Sequence, residues 1–168
     1  MFEHLNTPEE LFSYKLGSAL TMERELVTVL EEFEQDAQAP EIKKVLRGHR
    51  EETVQHARNI EKCFELLGYQ AGDSPCRVVE ALAKDAKATI NKTDDSLVDA
   101  VVLAAVAESE QYEIAVYNTL ITNAEARGAT EVAALLQGNR DEEKRAMQLV
   151  RATFKTIAHQ GIAVAATA

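Results

Sequence analysis

The stretch VLAAVAESEQYEIAVYNTL, from Val102 to Leu120, is the one on which the fold turns. Val102, Leu103, Val106, Val116, Tyr117 and Leu120 recur at the three- and four-residue spacing of a helix face. Glu110 and Glu113 interrupt that face in the turns between Val106 and Tyr117. The pattern starts after an Asp94-Asp95-Ser96 cap and ends at Gly128, which predicts a helix over residues 96–126 with two acids at its middle.

Three other segments have the same design. Thr7-Pro8-Glu9-Glu10 reads as a helix start, with a cap residue, proline at the first helical position and a glutamate three residues after the cap. The stripe that follows, Phe12, Leu16, Leu20, Leu26, Leu30 and Phe33, predicts a helix over residues 8–35. A second, over residues 40–67, carries Ile42, Val45, Leu46, Ile60, Cys63, Phe64 and Leu67 and stops at Gly68. The last, over residues 130–158, carries Val132, Leu135, Leu136, Val150, Phe154 and Ile157. Each is about 25 residues long, roughly 37 Å. Between the second and third of these helices, Val78, Val79, Leu82, Ala86 and Ile90 predict a short crossover helix over residues 76–91. The small, Ala-rich tail after His159 is expected to be loosely held.

With seven Gly, three Pro and no Asn-Gly pair in 168 residues, strand and hairpin signals are nearly absent. The class is all-α, one domain spanning residues 1–168. Two short connections make antiparallel helix pairs, and the longer middle link allows the third long helix to cross over. The two pairs also echo each other at an offset of 90 residues: Leu16, Glu23, Leu26 and Leu30 fall on Val106, Glu113, Val116 and Leu120, and Leu46, Glu52 and Ile60 fall on Leu136, Glu142 and Val150.

The formal charge of −10 argues against a nucleic-acid partner, which needs a basic stripe. No apolar run approaches the ~20 residues of a membrane span, and the first residues read neither as a secretory signal nor as a transit peptide, so the expectation is a cytoplasmic protein with no membrane association. Cys63 and Cys76 are too few for a disulfide framework.

The chemistry lies where the stripes are broken. Glu23 sits between Leu20 and Leu26; His49, Glu52 and His56 between Leu46 and Ile60; Glu110 and Glu113 between Val106 and Tyr117; and Glu142 or Glu143 between Leu136 and Val150, the 90-residue echo favouring Glu142. Each is roughly 15 to 20 Å from its helix ends, too deep for an inward charge to reach water. Buried carboxylates without partners cost several kcal/mol apiece, and like charges so close would force most to protonate. Divalent cations resolve the conflict, since carboxylate and imidazole suit iron, manganese or zinc. Helix bundles that hold two metals use a Glu from each of two helices and a Glu-x-x-His pair from each of the others. The expected ligands of two divalent ions, iron first, are therefore Glu23, Glu52, His56, Glu110, Glu113 and Glu142, with Glu52 and Glu142 bridging. The pattern is imperfect: Gln55 lies three after Glu52 and His56 four after it, and Arg145 lies three after Glu142. His49 fits either a hydrogen-bonding support role or the surface.

The strings Met22-Glu23-Arg24-Glu25, His49-Arg50-Glu51-Glu52-Thr53, Glu110-Gln111-Tyr112-Glu113-Ile114-Ala115-Val116-Tyr117 and Asp141-Glu142-Glu143-Lys144, with Phe64-Glu65-Leu66-Leu67-Gly68 and a cysteine opening the crossover, together resemble the motif positions of the YciE/YciF family of ferritin-like bacterial stress proteins. The resemblance extends from Glu9 to Phe154. It implies a ferritin-like four-helix bundle of the dimetal type, usually a homodimer, in a family whose activity is not settled. Two functions follow as expectations: a redox protein in which bound iron reacts with O₂ or peroxide, or a non-enzymatic stress protein whose ion only stabilises the bundle.

Overall fold

Thr7 begins the first helix of the computed structural model, which describes residues 4–165, with side chains through residue 159. Its hydroxyl accepts from the Glu10 amide at 3.1 Å and its own amide donates to Glu10 Oε2 at 3.0 Å, so the cap box satisfies donors that a helix start leaves open. The helices are α1 (Pro8–Asp36), α2 (Pro40–Leu67), α3 (Arg77–Ile90), α4 (Val98–Ala126) and α5 (Thr130–Ala165). They confirm the all-α class, and no strand occurs among the described residues.

Two boundaries differ from the sequence reading. Asp94 caps through its side chain to the Ser96 amide, but the cap opens a single 3-10 turn, Asp95–Leu97, before α4 begins. The last helix passes through Gly161 to Ala165, because one glycine costs only about 1 kcal/mol in a run of good helix formers. The side chains of the tail beyond His159, and residues 166–168 altogether, lie outside the described residues.

The pairs α1/α2 and α4/α5 are joined by short connections and pack along their lengths, α2 also meets α5, and α3 lies against α4 and α1. Gly68 ends α2 at φ 68°, a left-handed conformation that glycine adopts without a Cβ clash. Gly17 brings the α2–α3 link onto α1: a Cβ there would stand 2.5 Å from the Gly72 carbonyl oxygen. Beside it Ser18 donates to the Pro75 carbonyl at 3.1 Å. At the other end the Asp99 carboxylate of α4 accepts from the Gln38 and Ala39 amides at 2.7 and 3.0 Å, capping α2 from across the bundle.

The core is two cores. One gathers Phe12, Leu16, Leu20, Ile60, Phe64, Tyr117, Leu120 and Leu136; the other gathers Leu30, Phe33, Ile42, Leu46, Val102, Leu103, Val106 and Val150. In α2, α4 and α5 most of the buried residues between these groups are polar, and with Glu23 of α1 they form a layer across the waist of the bundle.

Candidate metal centre

Each long helix contributes to the layer from its middle turns. Glu23 comes from α1, His49, Thr53 and His56 from α2, Glu110 and Glu113 from α4, and Asn139 and Glu143 from α5, and all are buried. His49 Nε2 lies 2.5 Å from Glu110 Oε1 and 3.7 Å from Glu143 Oε2. His56 Nδ1 lies 2.6 Å from Glu143 Oε1 and 3.6 Å from Glu23 Oε2. Two triads result, Glu23–His56–Glu143 and His49–Glu110–Glu143, each with its ligand atoms within 4.8 Å of one another, and Glu143 belongs to both.

These short approaches lack hydrogen-bond geometry. Glu23 Oε2, His56 Nδ1 and both carboxylate oxygens of Glu110, Glu113 and Glu143 are buried with no hydrogen-bond partner. A buried polar atom left unpaired costs about 1 to 3 kcal/mol, more when charged, so such a concentration needs a resolution. Donor atoms that converge without bonding one another are arranged around points a cation would occupy. Hard oxygens with imidazole nitrogen suit iron, manganese or zinc.

The groups around the triads fix them in place. His56 Nε2 lies 2.8 Å from Glu142 Oε2; with the proton on that nitrogen, Nδ1 turns its lone pair to the triad, the arrangement in which a carboxylate sets the tautomer of a metal-binding imidazole. Tyr117 donates its hydroxyl proton to Glu23 Oε1 and accepts from Asn139 Nδ2 at 3.0 Å. Asn139 also donates to the His56 carbonyl at 3.2 Å and accepts from Asn59 at 2.7 Å. Thr53 donates its hydroxyl proton back to the His49 carbonyl at 2.9 Å and so gives none to the layer's carboxylates.

Without a cation the layer holds protons. Burial works to lower His56 and His49, but Glu143 and Glu23 outweigh it at His56, raised to about 11, and Glu110 and Glu52 outweigh it at His49, raised to about 10. Burial pushes Glu110 up to about 8 against the pull of His49, and it holds Glu113 well above the carboxylate range with the charge of Glu143 adding to it. Glu23 is also raised, by burial first. Glu143 goes the other way: burial would raise it, yet His56 and Glu110 close beside it and the charge of His49 outweigh that, and it is held down to about 2.

The structure brings Glu23, His56, Glu110 and Glu113 together in the interior, as expected from the sequence. Glu52 and Glu142, expected to face inward and bridge, do not: their side chains are 49% and 35% exposed. Their neighbours Thr53 and Glu143, about 100° further round each helix, take the inner positions. The 90-residue echo holds, but its inner pair lies one residue beyond Glu52 and Glu142. Glu52 and Glu142 match as outer residues, Thr53 and Glu143 as inner ones, Glu23 and Glu113 likewise, and His56 falls on Ala146. Of the two residues the sequence offers, Glu143 and not the favoured Glu142 is the shared one, and His49, open between support and surface, belongs to a triad. A seven-residue spacing marks both: Ile42, His49, His56 and Cys63 on α2, and Leu136, Glu143 and Val150 on α5, are all buried.

Against the pattern of a Glu from two helices and Glu-x-x-His from two, Thr53 replaces a carboxylate and Ala146 an imidazole. Glu110 and His49 supply the same two ligand types from the next turn of α4 and α2, so four buried carboxylates and two buried imidazoles remain.

The chain matches, over residues 7–163, the family model described as "Domain of unknown function (DUF892)". Protein YciF of Escherichia coli (strain K12) is 29% identical over 143 residues, which cover 84% of this chain and 86% of that protein. Among solved structures, the E. coli stress protein YciF superimposes with a TM-score of 0.87 at 26% identity, covering 92% of this chain and 99% of its own. YcfI of Rhodopseudomonas palustris superimposes with a TM-score of 0.86 at 28% identity, covering 90% and 97%. No helix among the described residues is long and apolar enough to cross a membrane.

Proposed function

This chain belongs to the family of unknown function DUF892, and from its buried layer we propose that it is a ferritin-like dimetal-carboxylate protein that binds two divalent ions, iron first and manganese or zinc otherwise, in the service of oxidative stress protection. The observation that carries the proposal is the pair of buried triads that share Glu143, whose ligand atoms converge without bonding one another. In this reading Glu23, His56 and Glu143 would hold one ion, His49, Glu110 and Glu143 would hold the other, and Glu113 would supply a further carboxylate. A pair of iron ions held there would supply electrons to O₂ or peroxide. Tyr117 and Asn139 keep Glu23 and the α2 backbone at His56 in register, and the cores above and below exclude water. The stress role follows the likeness to a protein described as a stress protein. The homodimer implied by the family resemblance belongs to the same proposal, and sedimentation analysis measures it.

The test is metal content on the purified chain, followed by Fe(II) addition under air in the wild type and in Glu143→Gln. Two ions per chain and fast oxidation, both lost in the variant, support the proposal. Bound metal without oxidation, with a large fall in melting temperature on chelation, gives the other reading, an ion that stabilises the bundle by binding only its native state; the placing of the layer between two separate cores favours that outcome next. No uptake and no effect of chelation overturns both.

A further inference from the structure

Glu52 and Glu142 stand outside the two histidines, each against the nitrogen that faces away from the triads. Glu142 Oε2 is 2.8 Å from His56 Nε2, while His56 Nδ1 faces Glu143. Glu52 Oε2 is 3.8 Å from His49 Nδ1, while His49 Nε2 faces Glu110. Both glutamates line a groove of about 870 Å³ between α2 and α5, and His49 forms part of its wall. His49 is itself more than nine-tenths buried and its Nδ1 has no hydrogen-bond partner, so an unsatisfied nitrogen looks out from the centre toward the groove.

We propose that this groove is the port by which divalent cations reach the centre, with Glu52 and Glu142 taking the incoming ion and handing it across His49 and His56. The inference rests on the dimetal reading of the interior. A hydrated cation sheds water in steps, and half-exposed carboxylates can take it while it keeps part of its shell. At the rim Glu41, Glu51, Glu52 and Glu142 outnumber Lys44 and Arg145, which draws cations in. Arg145 Nη2 lies 3.4 Å from Glu142 Oε1 on a largely exposed side chain, so it neutralises the glutamate at rest and swings away when an ion arrives. Ala146 lines the groove at the turn where a Glu-x-x-His pair would place an imidazole, so only a methyl group stands at that point of the wall.

Uptake of Co(II) by the full chain, followed by its visible absorption in stopped flow, tests the port without any turnover. Glu51→Gln with Glu52→Gln keeps side-chain size, removes two acids from the groove and leaves Glu142 on His56; it is expected to slow uptake by about tenfold at low ionic strength, since steering by fixed charge is worth 10 to 10³ in rate. The difference closes as salt is raised, and the final Co(II) content matches the wild type. Gly48→Leu lines the same groove with space around its Cβ, so it slows uptake by obstruction at every salt concentration. Glu32→Gln with Glu108→Gln, the same change of charge away from the groove, leaves the rate as it was. Unchanged uptake in both groove variants overturns the port while leaving the dimetal reading intact, and a loss of final Co(II) content in the double glutamine variant overturns it by making those residues ligands. A wild type that takes up no Co(II) removes the dimetal reading and the port together.

Discussion

Glu113 and Glu143 share one buried layer and hold opposite charge states when no cation is present. Glu113 is raised far enough to stay a neutral acid, and Glu143 is ionised between two protonated imidazoles. A glutamine imitates the first and not the second. In the presence of chelator, Glu113→Gln is therefore expected to melt within a degree or two of the wild type, its stability changed by less than about 0.5 kcal/mol, as for an isosteric change that breaks no bond. Glu143→Gln strands His56 and His49 and is expected to cost about 3 kcal/mol, the scale for breaking a buried ion pair. Both should bind less metal, Glu143→Gln losing both ions. A thermal melt with chelator, paired with metal analysis, reads the two effects separately; equal melting temperatures for the variants would remove the assigned charge states. The position of Glu143 was only half legible in the sequence. Adjacent residues on a helix differ by about 100° in direction, and choosing between Glu142 and Glu143 requires knowing which face α5 turns to α2. His56 was legible because it lies between apolar residues on an otherwise well-marked stripe.

The four long helices were readable because an apolar stripe keeps the helical period through each, and the crossover helix because its stripe is short but regular. What could not be read was the contact that seats the α2–α3 link on α1, since Gly17 looks in sequence like a mild interruption of a helix. A Cβ at that position meets the Gly72 backbone at 2.5 Å, and backbone cannot move aside as a flexible side chain would. Gly17→Ala is expected to destabilise the protein by about 1 to 3 kcal/mol, the usual range for overpacking, despite the better helix propensity of alanine. Chemical denaturation measures it, and a gain in stability would mean that the link does not rest on α1. The echo between the two helix pairs makes a second prediction. His56 on α2 falls on Ala146 on α5, so Ala146→His adds the imidazole that the repeat lacks. Its expected effect is tighter binding of the ion proposed at His49, Glu110 and Glu143, seen as slower release to a chelator, together with slower uptake because the groove is narrowed.

Across the whole molecule the waist sets the response to pH. Glu110 and Glu113 carry folded pKa values raised above their unfolded values, and so do His49 and His56. Between about pH 5 and 10 the folded chain without metal thus binds more protons than the unfolded one, and its stability falls as pH rises through that window. Glu143, held down to about 2, acts in the opposite sense only at lower pH, where stability falls as its carboxylate is protonated. The chelated protein is therefore expected to be most stable near pH 5 and to melt lower at pH 8. Metal must displace those same protons, so its binding strengthens over the interval in which the metal-free form weakens. Melting curves with chelator and with added Mn(II) should diverge as the buffer is made more alkaline, and parallel curves would refute the protonated waist. The division of the interior into two apolar groups also reverses the usual distribution of local stability. In most helices the ends fray first, but here the central turns enclose unpaired polar atoms while the turns on either side are clamped by packed hydrocarbon. Deuterium should therefore enter the amides around Glu110 and Glu143 of the metal-free chain sooner than those a turn or two toward either end, and loading with metal should make the middle of the rod its slowest region to exchange.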